Sequence, residues 1–118
     1  MLGDITVAKE IYIACGYTDM RKSIDGLAKL VQQQYRMDPF KSALFLFCGK
    51  RRDRIKVLLW EQDGFVLLYK RLENGAFQWP KTQDDLKPIT WQQFRWLMEG
   101  LKVEQEVKIK RALPGDFC

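Results

Sequence analysis

Three apolar runs follow one another through the middle of the chain: Ala43–Cys48, Arg54–Trp60 and Phe65–Arg71, each rich in aromatic and branched side chains. The segments between them, 49–53 and 61–64, are long enough only to reverse the chain. Neighbouring runs therefore pair as antiparallel strands. Asp63-Gly64 is a hairpin signal, and Asn74-Gly75 repeats it. That repetition predicts a further short strand over Ala76–Trp79, which Pro80 would terminate. Along the second run Ile55, Val57 and Leu59 face one side, Leu58 and Trp60 the other, so the sheet needs cover on both faces.

The flanking sequence supplies that cover. Glu10–Cys15 reads as a strand, and Gly16-Tyr17-Thr18 turns the chain into a helix with Thr18 and Asp19 as candidate caps. Met20, Ile24, Leu27, Ala28, Val31 and Tyr35 form one apolar face of that helix, which runs to about Arg36 before Asp38-Pro39 stops it. Pro80 to Pro88 is polar and reads as a connection. Thr90-Trp-Gln-Gln93 fits a capping box ahead of a second helix, whose stripe is Trp91, Phe94, Leu97, Met98 and Leu101 and whose end is marked by Gly100. Beyond Lys102 only Val103, Val107 and Ile109 hint at a strand, and Pro114-Gly115 marks an irregular end. The expectation is one α+β domain over 1–101 with a tail over 102–118. Its sheet is mainly antiparallel, of four to five strands, with a long helix after the first strand and a shorter one near the end.

With no histidine among 118 residues, the commonest general base and the commonest metal ligand are both missing. Cys15, Cys48 and Cys118 lack any Cys-x-x-Cys spacing; the first two end apolar runs and read as buried, reduced thiols. Asp53, Asp63, Asp84 and Asp85 all fall in turns or connections, whereas two-metal DNA cleavage needs carboxylates fixed on rigid elements. No enzymatic activity, metal or cofactor is expected. No leader pattern or membrane-length apolar stretch occurs, which predicts a soluble, cytoplasmic protein.

Charge is concentrated in one place. Between Gly49 and Lys56 stand Lys50, Arg51, Arg52, Arg54 and Lys56, more cations than a turn requires. On a chain of net charge +5 they point to phosphate, although solvated hairpin loops are also commonly basic. Arg21 and Lys22 fall in the predicted first helical turn, where phosphate also binds readily; the alternative is local pairing with Asp19. Lys70 closes the third run and is expected to share a face with Lys56 across the hairpin. Trp60, Tyr69, Phe77 and Trp79 lie nearby and read either as core or as platforms for unpaired bases.

Several of these residues form an ordered pattern: Gly16-x-Thr18-Asp19-Met20-Arg21-Lys22, then Gly26-Leu27, Gly64-Phe65, Lys70-Arg71-Leu72 and Gly75-x-Phe77-x-Trp79-Pro80. From about residue 10 to 101 the chain resembles the small TnpB-type accessory proteins encoded by the second reading frame of IS66-group insertion sequences. Ser23 departs from the pattern, where glycine is expected. The resemblance implies a non-catalytic protein that assists transposition beside a separate, larger DDE-type transposase. The expected partners are transposon-end DNA, held by Arg51, Arg52, Arg54, Lys56, Lys50, Arg21, Lys22 and Lys70, and the transposase itself. A second copy of the chain is a further candidate for any apolar face left uncovered. The alternative is an interaction module that regulates the transposase without touching DNA.

Overall fold

Residues Ala43–Cys48 are all buried, because their strand is the centre of a five-stranded sheet with an apolar layer on each face. In chain order the strands are β1 (Glu10–Ala14), β2 (Ala43–Cys48), β3 (Arg54–Trp60), β4 (Phe65–Arg71) and β5 (Leu86–Ile89). They lie side by side as β4-β3-β2-β1-β5. Helices α1 (Ile24–Lys29) and α2 (Trp91–Met98) complete the α+β architecture of this computed structural model, which describes residues 2–81 and 85–105. Asp84, Val107, Ile109, Pro114-Gly115 and Cys118 lie outside those residues.

The meander of β2, β3 and β4 has the bounds expected from the sequence. Its tight turn falls one residue early: Glu61 N–H donates to the Gly64 carbonyl at 2.9 Å, and Gln62, at φ 71°, takes the left-handed position. The complete sheet is mixed, since β1 runs parallel to β2 and antiparallel to β5. The helical segment between β1 and β2 returns the chain to the end from which β1 started, as parallel neighbours require.

That segment starts later than Thr18 and Asp19 suggested. Thr18 is buried and its N–H donates to the Cys48 carbonyl at 2.8 Å, while the Asp19 carboxylate accepts the Arg21 N–H at 2.9 Å. Both candidate caps are thus committed to a loop laid on the sheet. Helix α1 opens at Ser23, whose carbonyl accepts the Leu27 N–H at 2.9 Å. It relaxes into a π-helical turn over Leu30–Gln34 and leaves helical geometry at Arg36, with φ 56°.

No strand forms at Ala76–Trp79. The chain leaves edge strand β4 and crosses the ends of β3, β2 and β1 to reach β5 at the other edge. Four hydrogen bonds trace the crossing: Phe77 N–H to the Arg52 carbonyl (2.7 Å), Trp79 Nε1–H to the Ala14 carbonyl (2.8 Å), Gly16 N–H to the Pro80 carbonyl (2.8 Å) and Cys15 N–H to the Asp85 carbonyl (2.9 Å). Phe77 and Trp79 drop into the core on the way; burying side chains of this size stabilises by roughly 1.5–3 kcal/mol each. The stretch read as a connection therefore ends in β5, where Pro88 stands opposite Tyr12 and is tolerated because the strand is an edge.

Leu27 of helix α1 and Val31 of the π-helical turn press onto Tyr12, Phe45, Phe47 and Leu58. On the other face Leu97 of α2 joins Phe77, Trp79 and Val103 over Ile11, Leu44, Leu46 and Val57. Thr90 and Gln93 form the capping box of α2, and Gly100 at φ 86° closes it, with Gly100 N–H on the Leu97 carbonyl and Leu101 N–H on that of Trp96. Cys15 and Cys48 are buried and unbridged; burial pushes their thiols up to about 11 and about 12, so they behave as small apolar groups. Among the described residues no helix is long and apolar enough to cross a membrane.

Candidate nucleic-acid interface

The basic loop lies at the end of the sheet where β1 and β2 finish and β3 begins. Segments 15–22 and 72–81 converge on it there. Gly49 N–H donates to the Arg54 carbonyl at 3.1 Å and Arg52 N–H to the Gly49 carbonyl at 2.9 Å, which closes a tight turn. The carbonyls of Arg52 and Asp53 then accept the N–H groups of Phe77 and Leu72, both at 2.7 Å. A Cβ on Gly49 would stand 2.7 Å from Met20 Cγ, so the loop and the 17–21 segment touch at this glycine. The loop is clamped from two sides.

From that clamped backbone Lys50 and Arg51 project into solvent, and Arg52 is half-buried in a left-handed conformation at φ 62°. None of the three forms an ion pair with a described residue. Arg54 is less free: its Nε lies 3.9 Å from Asp53 Oδ1, and both atoms are buried without a hydrogen bond. Lys56 is partly buried, with its ammonium donating to the Lys22 carbonyl at 2.7 Å.

Arg21 and Lys22 do reach this end, but as part of the loop before α1 rather than in a helical first turn. Arg21 donates through Nε and Nη2 to Asp19, whose carboxyl is held down at about 2, first by the guanidinium hydrogen bond and then by the Arg21 N–H. The expected pairing of Lys56 with Lys70 does not occur. Lys70 stands opposite Ile55 and Lys56 opposite Tyr69, so the two lysines point to opposite faces of the sheet. Arg71, opposite Arg54, is the strand-end cation on the Lys56 face, and it pairs with Glu73 at 2.9 Å.

Two further cations come to this end unannounced by local sequence. Exposed Lys81 flanks Trp79 beside Lys50 and Arg52, and Lys87 on β5 bonds Glu104 at 2.7 Å. Only the crossing of 72–81 and the β1–β5 pairing bring them here, so pattern along the chain could not find them. For Lys70 and Arg71 the sequence suffices, since a two-residue turn pairs even-numbered residues with odd-numbered ones and so puts Arg71, not Lys70, on the Lys56 face. Of the four candidate base platforms, Phe77 and Trp79 are core. Trp60 packs with Phe40 and Phe65 at the opposite end of β3, and Tyr69 alone stands exposed.

The carboxylates are dispersed. Asp53 and Asp63 sit at opposite ends of β3, whose seven residues span roughly 23 Å, and Asp85 lies at the start of β5. Among the described residues no three of Cys, Asp and Glu are grouped as metal ligands would be. What the basic end can do chemically is hold a polyanion: a recess of about 580 Å³ opens between the 17–21 segment and the 49–54 loop, lined by Tyr17, Asp19, Arg21, Lys50, Arg51 and Arg54.

The profile of a protein family described as IS66 Orf2 like protein matches residues 9–108. The chain is 34% identical over 91 residues to the uncharacterized protein y4hO of Sinorhizobium fredii, a match covering 77% of this chain and 79% of that one. A second protein of that organism, the uncharacterized y4jC, is 33% identical over 91 residues, covering 77% and 78%. No solved structure matches.

Proposed function

We propose that this chain, which belongs to the IS66 Orf2-like family, is a non-catalytic accessory protein of transposition that holds DNA of its element at the basic end of the sheet. Family membership associates it with the insertion sequence. The observation that carries the DNA part is the presentation of Lys50, Arg51 and Arg52, free of acidic partners among the described residues, from a loop clamped on two sides. Cations on a fixed backbone suit phosphates, because the loop need not be ordered on binding. Arg54, Lys56, Arg21 and Lys22 supply positive potential around them. Lys70, on the other face, lies outside this patch.

The reading places the separate DDE-type transposase on another surface. At the far end of β3, Phe40 is 52% exposed and packs its ring 5.0 Å from Trp60 and 5.2 Å from Phe65. That aromatic group favours the second reading, in which the chain binds the transposase and never meets DNA.

Binding of the purified chain to a transposon-end duplex and to an unrelated duplex, beside an Arg51→Ala/Arg52→Ala variant, separates the two. DNA binding lost in the variant supports the first reading. Transposase capture without DNA binding by either protein overturns it in favour of the second.

A further inference from the structure

Two tyrosines at the basic end are exposed, Tyr17 at 67% and Tyr69 at 53%, and neither ring belongs to an apolar layer. Tyr17 is held outward by its own backbone. On one side of it Gly16 N–H donates to the Pro80 carbonyl, and on the other Thr18 N–H donates to the Cys48 carbonyl, both at 2.8 Å. A ring carried on a backbone fixed this way needs no ordering of the main chain when something stacks on it.

Each ring also has a lysine beside it. The Lys50 ammonium lies 5.8 Å from the centre of the Tyr17 ring, and the Lys56 ammonium 5.6 Å from that of Tyr69. The two rings are linked by one strip of chain: the 17–22 segment passes over the end of β2 at Thr18 and reaches β3 through Lys22, and Lys56 there stands opposite Tyr69 on β4. Strands β1 and β4 are three spacings apart, about 14 Å.

An aromatic face next to a cation suits a nucleotide whose base is free, with the base on the ring and the phosphate near the charge. Inside a duplex the base faces are covered by their neighbours, and a projecting ring has nothing to stack on. The recess of about 580 Å³ that Tyr17 lines is in the volume range of small-ligand sites, large enough for nucleotide-sized groups.

We infer that the basic end takes an unpaired nucleic-acid strand, with one base stacked on Tyr17, another on Tyr69, and phosphates on Lys50 and Arg51. This rests on the nucleic-acid reading above and adds to it the state of the strand.

The test is fluorescence anisotropy of the full chain with labelled oligothymidine, oligouridine of equal length and a duplex of equal length, for wild type, Tyr17→Ala, Tyr17→Phe and Tyr69→Ala. A single strand should bind at least about tenfold tighter than the duplex. Tyr17→Ala and Tyr69→Ala should each weaken that binding by about 5- to 150-fold, the worth of one stacked base. Tyr17→Phe should retain it, and duplex binding should stay unchanged in every variant. Preference for oligothymidine or for oligouridine identifies the strand as DNA or RNA. Equal affinity for single strand and duplex, or alanine variants indistinguishable from wild type, overturns the inference and leaves the nucleic-acid reading standing. No binding of any probe by wild type overturns both.

Discussion

The ammonium of Lys56 donates a 2.7 Å hydrogen bond to the backbone carbonyl of Lys22, tying β3 to the segment that leads into α1. Lys56 was a candidate phosphate ligand by sequence, and here it is a structural tether. Lys56→Met keeps the stem but removes the donor. It should lower stability by about 1.5–3 kcal/mol in urea unfolding, the range for a hydrogen bond to a charged group. The salt dependence of DNA binding should change little. A steep fall in that dependence with stability intact would return Lys56 to the phosphate contacts.

Arg52 holds a left-handed backbone that costs a non-glycine residue about 1–2 kcal/mol. Arg52→Gly relieves it and deletes one cation. The variant should melt at or above the wild-type temperature while binding DNA more weakly. A clear drop in melting temperature would mean that the side chain, rather than the carbonyl that accepts Phe77 N–H, fixes the loop.

Gly49 is the contact point between the basic loop and Met20. Gly49→Ala forces them apart, and overpacking of this kind destabilises by about 1–3 kcal/mol. Because Met20 is the obstacle, Gly49→Ala combined with Met20→Ala should lose less than the sum of the two single changes, as a denaturation cycle would read. Strict additivity would contradict the contact.

Asp19 is held at about 2, chiefly by the Arg21 guanidinium. Its unfolded value is about 3.9, so the pair's contribution is complete above that pH and is lost as pH falls through 2. An NMR titration of the Asp19 carboxyl should show the low midpoint, and Arg21→Ala should return it toward about 3.9. An unchanged midpoint in that variant would dismiss the pair.

The parts of this fold that sequence disclosed are those decided by neighbours along the chain. Strands β2, β3 and β4 declare themselves through composition and short turns, and Thr90 with Gln93 is a complete local signal for the start of α2. Strand β5 is a strand only because Leu86–Ile89 finds β1, a partner more than seventy positions away. Phe77 and Trp79 carry strand-like composition, yet their backbone is drawn across the sheet end by Arg52, and the Trp79 indole by Ala14. Thr18 and Asp19 have capping chemistry, but the Thr18 backbone N–H is held on the Cys48 carbonyl and the Asp19 carboxylate is taken by Arg21, so the helix starts later. The basic loop was legible as a cluster of charge between two strands, but not which of its cations project: Arg54 lies against Asp53 and Lys56 bonds the Lys22 carbonyl. Tyr17 was not legible, because its exposure depends on bonds to both Pro80 and Cys48 made by its neighbours.

If Lys50, Arg51 and Arg52 meet phosphates, the affinity for DNA must fall with salt. Contact with about three phosphates predicts a log-log slope near −2.7, and Arg51→Ala/Arg52→Ala should make it shallower by about two. A slope near zero, or one that the double substitution leaves unchanged, would contradict the account.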